Sequence, residues 1–208
     1  MRQLAVPASF WRGGTSRAVV FKQEDLAGFD VRQRDRIVLA ALGSPDPGER
    51  QVDGLGGGIS SLSKVCVLDW TGQEVTFTFG QVDVVRPVVD WSGTCGNMSA
   101  AVGPFAIDAG WIVPSSDLTE VPVVATNVEK RYIAQVPTPG AELAVEGTYC
   151  IDGVPVPGAR IGLKWLTIIT SPDVVSFSRW TSDQARFVTL DRVSPPGAHC
   201  SKWFMKCR

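Results

Sequence analysis

The stretch best equipped for chemistry is Asp90-Trp91-Ser92-Gly93-Thr94-Cys95-Gly96-Asn97, which leads into the small apolar run Met98-Ser99-Ala100-Ala101-Val102-Gly103-Pro104-Phe105-Ala106. Ser92, Thr94 and Asn97 are residue types that cap helix starts, so the pattern predicts a buried helix with Cys95 at or just before its first turn. At such a terminus the unpaired N–H groups and the helix dipole favour an anion. A thiol there suits nucleophilic or proton-transfer chemistry. The plainer alternative is a buried cysteine serving as a small hydrophobe. Gly93 and Gly96, which let other groups approach the sulfur, put the chemical reading ahead.

A second group with chemical potential is Lys64. It closes the stretch Gln51-Val52-Asp53-Gly54-Leu55-Gly56-Gly57-Gly58-Ile59-Ser60-Ser61-Leu62-Ser63-Lys64 and enters the apolar segment Val65-Cys66-Val67-Leu68. The glycines fit neither a dinucleotide loop, because position 59 is Ile, nor a P-loop, because Gly-Lys-Ser/Thr is missing. What remains is a flexible loop with three serines. A lysine at its junction with a strand can act as an acid–base group or as a fixed cation for a carboxylate. A solvated loop lysine is the competing reading. Nearer the start, Trp11-Arg12-Gly13-Gly14-Thr15-Ser16-Arg17 sets two guanidinium groups around backbone and hydroxyl donors, a set able to hold a carboxylate. Taken alone it reads as an ordinary turn with solvated arginines.

Composition narrows the class. At 208 residues with 44% apolar side chains, the chain can bury a real core. A net charge of −1 gives no general attraction for nucleic acid or anionic membrane. No apolar run reaches the length of a membrane span, and the first residues do not read as a signal peptide. Five cysteines without CxxC spacing and one histidine argue against a metal site and fit a reducing, cytoplasmic setting.

The elements that must position these groups read as α+β. Strands are expected at 4–10 and 18–22 around a glycine-rich loop, at 65–68, 75–79, 82–85, 121–126 and 131–136. A hairpin is expected at 148–161 around Asp152-Gly153. Ile37, Val38, Ala41 and Leu42 recur at helical spacing, which predicts a helix over 31–42 stopped by Gly43 and Pro45. Gly110 should end the Cys95 helix, and Pro104 should kink it. With no alternating βαβ rhythm, the expectation is a strongly curved, mostly antiparallel sheet packed on the Cys95 helix. From residue 163 the texture changes: 13 basic and 18 acidic residues before it give −5, whereas 7 basic and 3 acidic after it give +4. Residues 163–208 also lack usable periodicity. We expect a domain over 1–162 and a divergent tail over 163–208, with the ordered region ending near 162.

Five blocks together resemble the PrpF family: Arg12-Gly13-Gly14-Thr15-Ser16; Gly43-Ser44-Pro45-Asp46-Pro47; Asp53-Gly54-Leu55-Gly56-Gly57 with Ser60-Ser61-Leu62-Ser63-Lys64; Phe79-Gly80-Gln81-Val82; and Asp90 to Asn97. They lie in the expected order across roughly residues 4–162. The resemblance implies a diaminopimelate-epimerase-like fold, in which two similar halves each wrap a sheet around a central helix with the active site between them. It implies a cofactor-independent isomerase of small unsaturated di- or tricarboxylates: 2-methylaconitate, itaconate-like acids or oxalomesaconate. By position, Lys64 and Cys95 match the catalytic pair. Arg12, Gly14, Thr15, Ser16 and Arg17, then Ser60, Ser61 and Ser63, then Gly96 and Asn97 match loops that hold substrate carboxylates. Arg17 stands where the family usually has lysine, which keeps the cation but changes its reach. Full members are nearly twice as long, so the expected tail reads as the product of truncation or frameshift. A catalytically silent, carboxylate-binding fragment is the alternative function, and a two-cysteine amino-acid epimerase is a further one. The implied partner is a small carboxylic acid, with no metal or organic cofactor. A homo-oligomer is left open.

Overall fold

The computed structural model describes residues 4–166 and 203–207. Its frame is a nine-stranded sheet with one long helix on each face. In chain order the strands are β1 (Leu4–Gly13), β2 (Ser16–Lys22), β3 (Lys64–Trp70), β4 (Val75–Val82), β5 (Val89–Asp90), β6 (Leu118–Ala125), β7 (Lys130–Pro137), β8 (Tyr149–Ile151), β9 (Val154–Gly158), β10 (Gly162–Leu166) and β11 (Trp203–Cys207). The helices are α1 (Gln23–Leu26), α2 (Val31–Leu42) and α3 (Gly96–Asp108). The sheet order is β10-β7-β6-β4-β3-β2-β1-β11, with β5 paired to the end of β4 and β8–β9 forming a separate hairpin. Among the described residues only the β2–β3 and β4–β6 pairs are parallel.

Alternation along the strands builds two cores. Ala18 and Val20, Cys66 and Leu68, and Val75, Phe77 and Phe79 face α3, where they meet Met98, Ala101 and Phe105. The intervening residues Val19, Phe21, Val65 and Val67 face α2 and meet Ile37, Val38, Ala41 and Leu42. Curvature follows from geometry. α3 touches β1, β2, β3, β4, β6, β7 and β10. Seven strands at about 4.8 Å spacing would spread over nearly 30 Å if flat, far beyond a helix about 10 Å wide, so the sheet must curl around it. α3 can serve as this axle because it is apolar all round: every residue from Met98 to Ile107 is buried.

Several local expectations differ in the structure. The stretch 11–17 is not an irregular loop: β1 continues to Gly13, β2 starts at Ser16, and Gly14-Thr15 make a tight turn. The two arms lend each other backbone partners, which the glycine count obscured. β4 runs through Gly80 to Val82 instead of breaking into two strands. The loop 53–58 is pinned, since Leu55 and Gly56 donate to the Ala41 and Leu42 carbonyls at the end of α2. A Cβ on Gly54 would lie 2.1 Å from the Gly43 nitrogen, so glycine there serves close packing, not flexibility. α3 is continuous through Pro104, and Gly110 sits past its end at φ 72. Its first turn has Cys95 as N-cap with no side-chain cap, so Ser92 and Thr94 do not cap it.

Beyond residue 162, β10 pairs with β7 and buries Leu163, and β11 lies antiparallel to β1. The rest of the expected tail, His199 and Cys200 included, lies outside the described residues.

Burial makes a pH prediction. The Cys66 thiol and the Tyr132 phenol are both pushed well above their ordinary values of 9.0 and 10.0, mainly by desolvation. Above pH 9 the unfolded chain releases a proton that the folded one keeps, so stability is intact below that pH and falls as pH rises. The slope is about 1.4 kcal/mol per pH unit for each such group. Melting curves from pH 8 to 11 should show Tm falling from pH 9, and Cys66→Ala should move the onset upward. A flat profile would contradict the burial argument.

Candidate active site

One end of the sheet collects the predicted groups. β2 and β3 run parallel, so their first residues, Ser16 and Lys64, sit at the same end. β4 runs the other way and delivers Gln81 there, paired directly with Lys64. β5 then pairs Asp90 with Gln81, and the chain turns through Trp91 to Cys95 and α3. Ser16, Lys64 and Gln81 share the alternation of Ala18, Cys66 and Phe79, which places all three on the α3 face.

Lys64 is only 7% exposed. Its Nζ donates to Gln81 Oε1 at 2.5 Å and lies 5.3 Å from the centre of the Phe79 ring, a cation–π distance. Cys95 is half-buried at the head of α3, packed against the core that contains Cys66. Burial raises the Cys66 thiol, the nearby Cys95 adds to this, and Lys64 opposes it. Both predicted catalytic groups therefore lie near one buried thiol. Cys66 itself, 2% exposed, cannot face a substrate as a second epimerase cysteine would.

The hairpin turn docks onto the helix start. Asn97 Nδ2 lies 3.1 Å from Thr15 Oγ1 and 3.3 Å from Ser16 Oγ, and donates to both. A Cβ on Gly13 would sit 2.1 Å from the Asn97 carbonyl oxygen, so the contact needs glycine. Thr15 is exposed and Ser16 is buried. Gly96 is exposed at the first turn of α3, where backbone N–H groups have no helical partner.

Not every predicted residue is on this face. Arg12 and Arg17 share the alternation of Phe10 and Val19, on the α2 side of the sheet. Arg17 stacks over Phe10 at 5.3 Å and reaches the glycine loop, where a Cβ on Gly57 would lie 2.6 Å from its Nη2. Arg12 Nη1 donates to the Gly14 carbonyl at 2.5 Å and braces the turn. Ser63 is fully buried, its hydroxyl accepting from Gln51 Nε2 at 2.8 Å. Ser60 and Ser61 open a single 3-10 turn (Ser60–Leu62), with Ser60 exposed and Ser61 half-buried.

Three amides missed by the sequence reading hold this end together. Gln51, itself positioned by its backbone N–H to Asp46, accepts from the Gly58 N–H and donates to Ser63. Backbone N–H groups of Gly48, Arg50 and Gln51 hold the Asp46 carboxyl below its usual value. Asn127 exchanges hydrogen bonds with the backbone of Phe79 and donates to the Trp91 carbonyl, which ties the Cys95 approach to β4. Gln81 Nε2 donates to the Ser60 and Ser63 carbonyls at 3.0 and 2.9 Å. Gln81 had a sequence signal: it takes the inward phase of Val75, Phe77 and Phe79, where a polar residue needs partners. Among the described residues no cluster of three His, Cys, Asp or Glu is placed to hold a metal ion, and no helix is long and apolar enough to cross a membrane.

The chain is similar to proteins already known. The family model described as PrpF protein matches residues 3–174. A 2-methyl-aconitate isomerase of Cupriavidus necator is 40% identical over 79% of this chain and 44% of its own length. A 3-methylitaconate isomerase of Eubacterium barkeri is 38% identical over 74% of this chain and 40% of its own. The crystal structure of a methylitaconate-delta-isomerase superposes with a TM-score of 0.71 at 36% identity, covering 79% of this chain and 42% of that one. This chain thus spans less than half the length of these relatives. The structural match carries the diaminopimelate-epimerase-like fold, the curved sheet wrapped on α3 being its half.

Proposed function

Because this chain belongs to the PrpF family, we propose that it moves a proton on small unsaturated di- or tricarboxylates of the methylaconitate, methylitaconate or oxalomesaconate kind, with Lys64 and Cys95 as the acid–base pair. The observation that carries this is the meeting of a buried lysine, a helix-start thiol and open backbone N–H groups at one end of the sheet. In these acids the C–H next to a carboxylate, or conjugated to one, is acidic. One member of the pair takes that proton, and the C–H electrons spread into a dienolate. The ammonium of Lys64 and the N–H groups at the start of α3 supply the countering positive charge. A proton then returns at another carbon or on the other face, so that only the position of H and of the double bond changes.

Thr15, Ser16, Ser60, Ser61, Gly96 and Asn97 are the candidates for holding the carboxylates. Arg12, Arg17 and Ser63 act behind them, as supports of the turn and of the glycine loop. The reading needs no metal or organic cofactor and suits a cytoplasmic protein.

The test is proton NMR in D2O with 2-methylaconitate, methylitaconate and meso-diaminopimelate offered separately. Deuterium should enter the unsaturated acids, and isomer peaks should grow, with activity kept after dialysis against EDTA. Exchange on diaminopimelate alone would transfer the site to the epimerase reading. Absence of exchange on all three would favour the alternative of a catalytically silent chain that at most binds carboxylates.

A further inference from the structure

We propose that Gln81 is a positioning residue that aims the transferable proton of Lys64, a role that rests on the isomerase reading given above. Gln81 and Lys64 are direct cross-strand partners on the α3 face. The orientation of the Gln81 amide is dictated from behind: its Nε2 donates to two carbonyls, Ser60 O at 3.0 Å and Ser63 O at 2.9 Å. A flipped amide would press Oε1 against both carbonyls and turn its NH2 toward an ammonium group. Oε1 must therefore face Nζ, which it meets at 2.5 Å. The Phe79 ring flanks the same nitrogen.

The consequence is directional. A lysine side chain ordinarily spreads its ammonium over several rotamers. Here one N–H is committed to Gln81, so the other protons of the ammonium, or the lone pair of the neutral amine, point away from that bond. Because the same amide holds the Ser60–Leu62 turn, it also fixes the distance between the amine and the exposed Ser60 hydroxyl. Gln81 thus sets proton direction and carboxylate placement from one side chain. A misplacement of about 1 Å in such an arrangement costs on the order of 100-fold in rate.

The experiment uses the full chain labelled with 15N-lysine. The sequence holds six lysines, at 22, 64, 130, 164, 202 and 206, and Lys64→Arg identifies the Lys64 signal. The wild type should show a slowly exchanging Nζ–H signal for Lys64. Gln81→Ala and the milder Gln81→Asn should lose it while the Trp91 indole signal, hydrogen-bonded to Asp35, stays in place as the mark of an intact fold. With the unsaturated acids, kcat should fall about 100-fold in both variants, and KM should rise as the Ser60 turn loosens. A Lys64 signal that persists in both variants, or an unchanged kcat, would overturn the proposal. A wild type that exchanges no acid would overturn the isomerase reading instead, and the NMR comparison would still decide whether Gln81 orders Lys64.

Discussion

Replacing Lys64 by alanine is expected to abolish proton exchange at the substrate carbon. General acid–base groups contribute on the order of 100- to 10,000-fold, and in the proposed mechanism Lys64 would also supply the cation facing the developing dienolate, so the loss should lie at or beyond the upper end. The substitution removes a buried side chain with two fixed partners, Gln81 and Phe79, and leaves the Gln81 oxygen without its donor. Some destabilisation is therefore expected as well, and the measurement must separate the two. Deuterium wash-in by NMR gives the exchange rate, and a urea titration of the same sample gives the folded fraction. Wash-in at the wild-type rate in a folded Lys64→Ala protein would remove Lys64 from the mechanism. Cys95→Ser should cost less, because a hydroxyl retains a transferable proton at the same helix terminus.

The second large effect is expected away from the reacting groups. Gly13→Ala should destabilise the protein by about 3 kcal/mol, the upper part of the range for inserting a methyl group into a packed contact. The new Cβ would meet the Asn97 carbonyl oxygen at 2.1 Å, its carbon at 2.9 Å and the Met98 Cα at 3.0 Å. All three are backbone atoms of α3, so no side-chain rotation relieves the contact. Either the hairpin lifts from the helix or the helix start shifts, and both movements part Asn97 from Thr15 and Ser16. For a chain of this size the loss corresponds to roughly 6–12 °C in Tm. Gly28→Ala is the control, since a Cβ there meets nothing within 4 Å; it should change stability by less than about 0.5 kcal/mol. Equal melting of the two variants would show that the hairpin does not depend on its seat against α3.

How much of this was legible can be followed residue by residue. The helix over 31–42 was readable because its apolar spacing, its stop at Gly43 and its surroundings agree, and the structure adds a capping box of Asp30 with Gln33. Cys95 at the head of a buried helix was equally legible, as was the Asp152-Gly153 hairpin, where Gly153 adopts φ 81. Gln51, Gln81 and Asn127 were given no role: the inward phase of Gln81 called for partners, but nothing local says which residues supply them. Their partners lie 12, 17 and up to 48 positions away along the chain. The glycine loop was misjudged for the same reason. Gly54 looks permissive in one dimension and proves to be a contact with Gly43.

The sequence by itself determined the α+β class, most of the strands, the buried helix and the identity of Lys64 and Cys95 as the groups to watch. These follow from local chemistry: side-chain period, helix caps and turn residues act over a few neighbours. Only the tertiary structure decided which side of the sheet each group faces. It put Ser16, Lys64 and Gln81 on the α3 side and turned Arg12 and Arg17 to the α2 side, although all five stand near the same end of the sheet. The physical reason is the two-residue period of a strand. Neighbouring residues point to opposite faces, and which face becomes the site depends on where a distant helix packs.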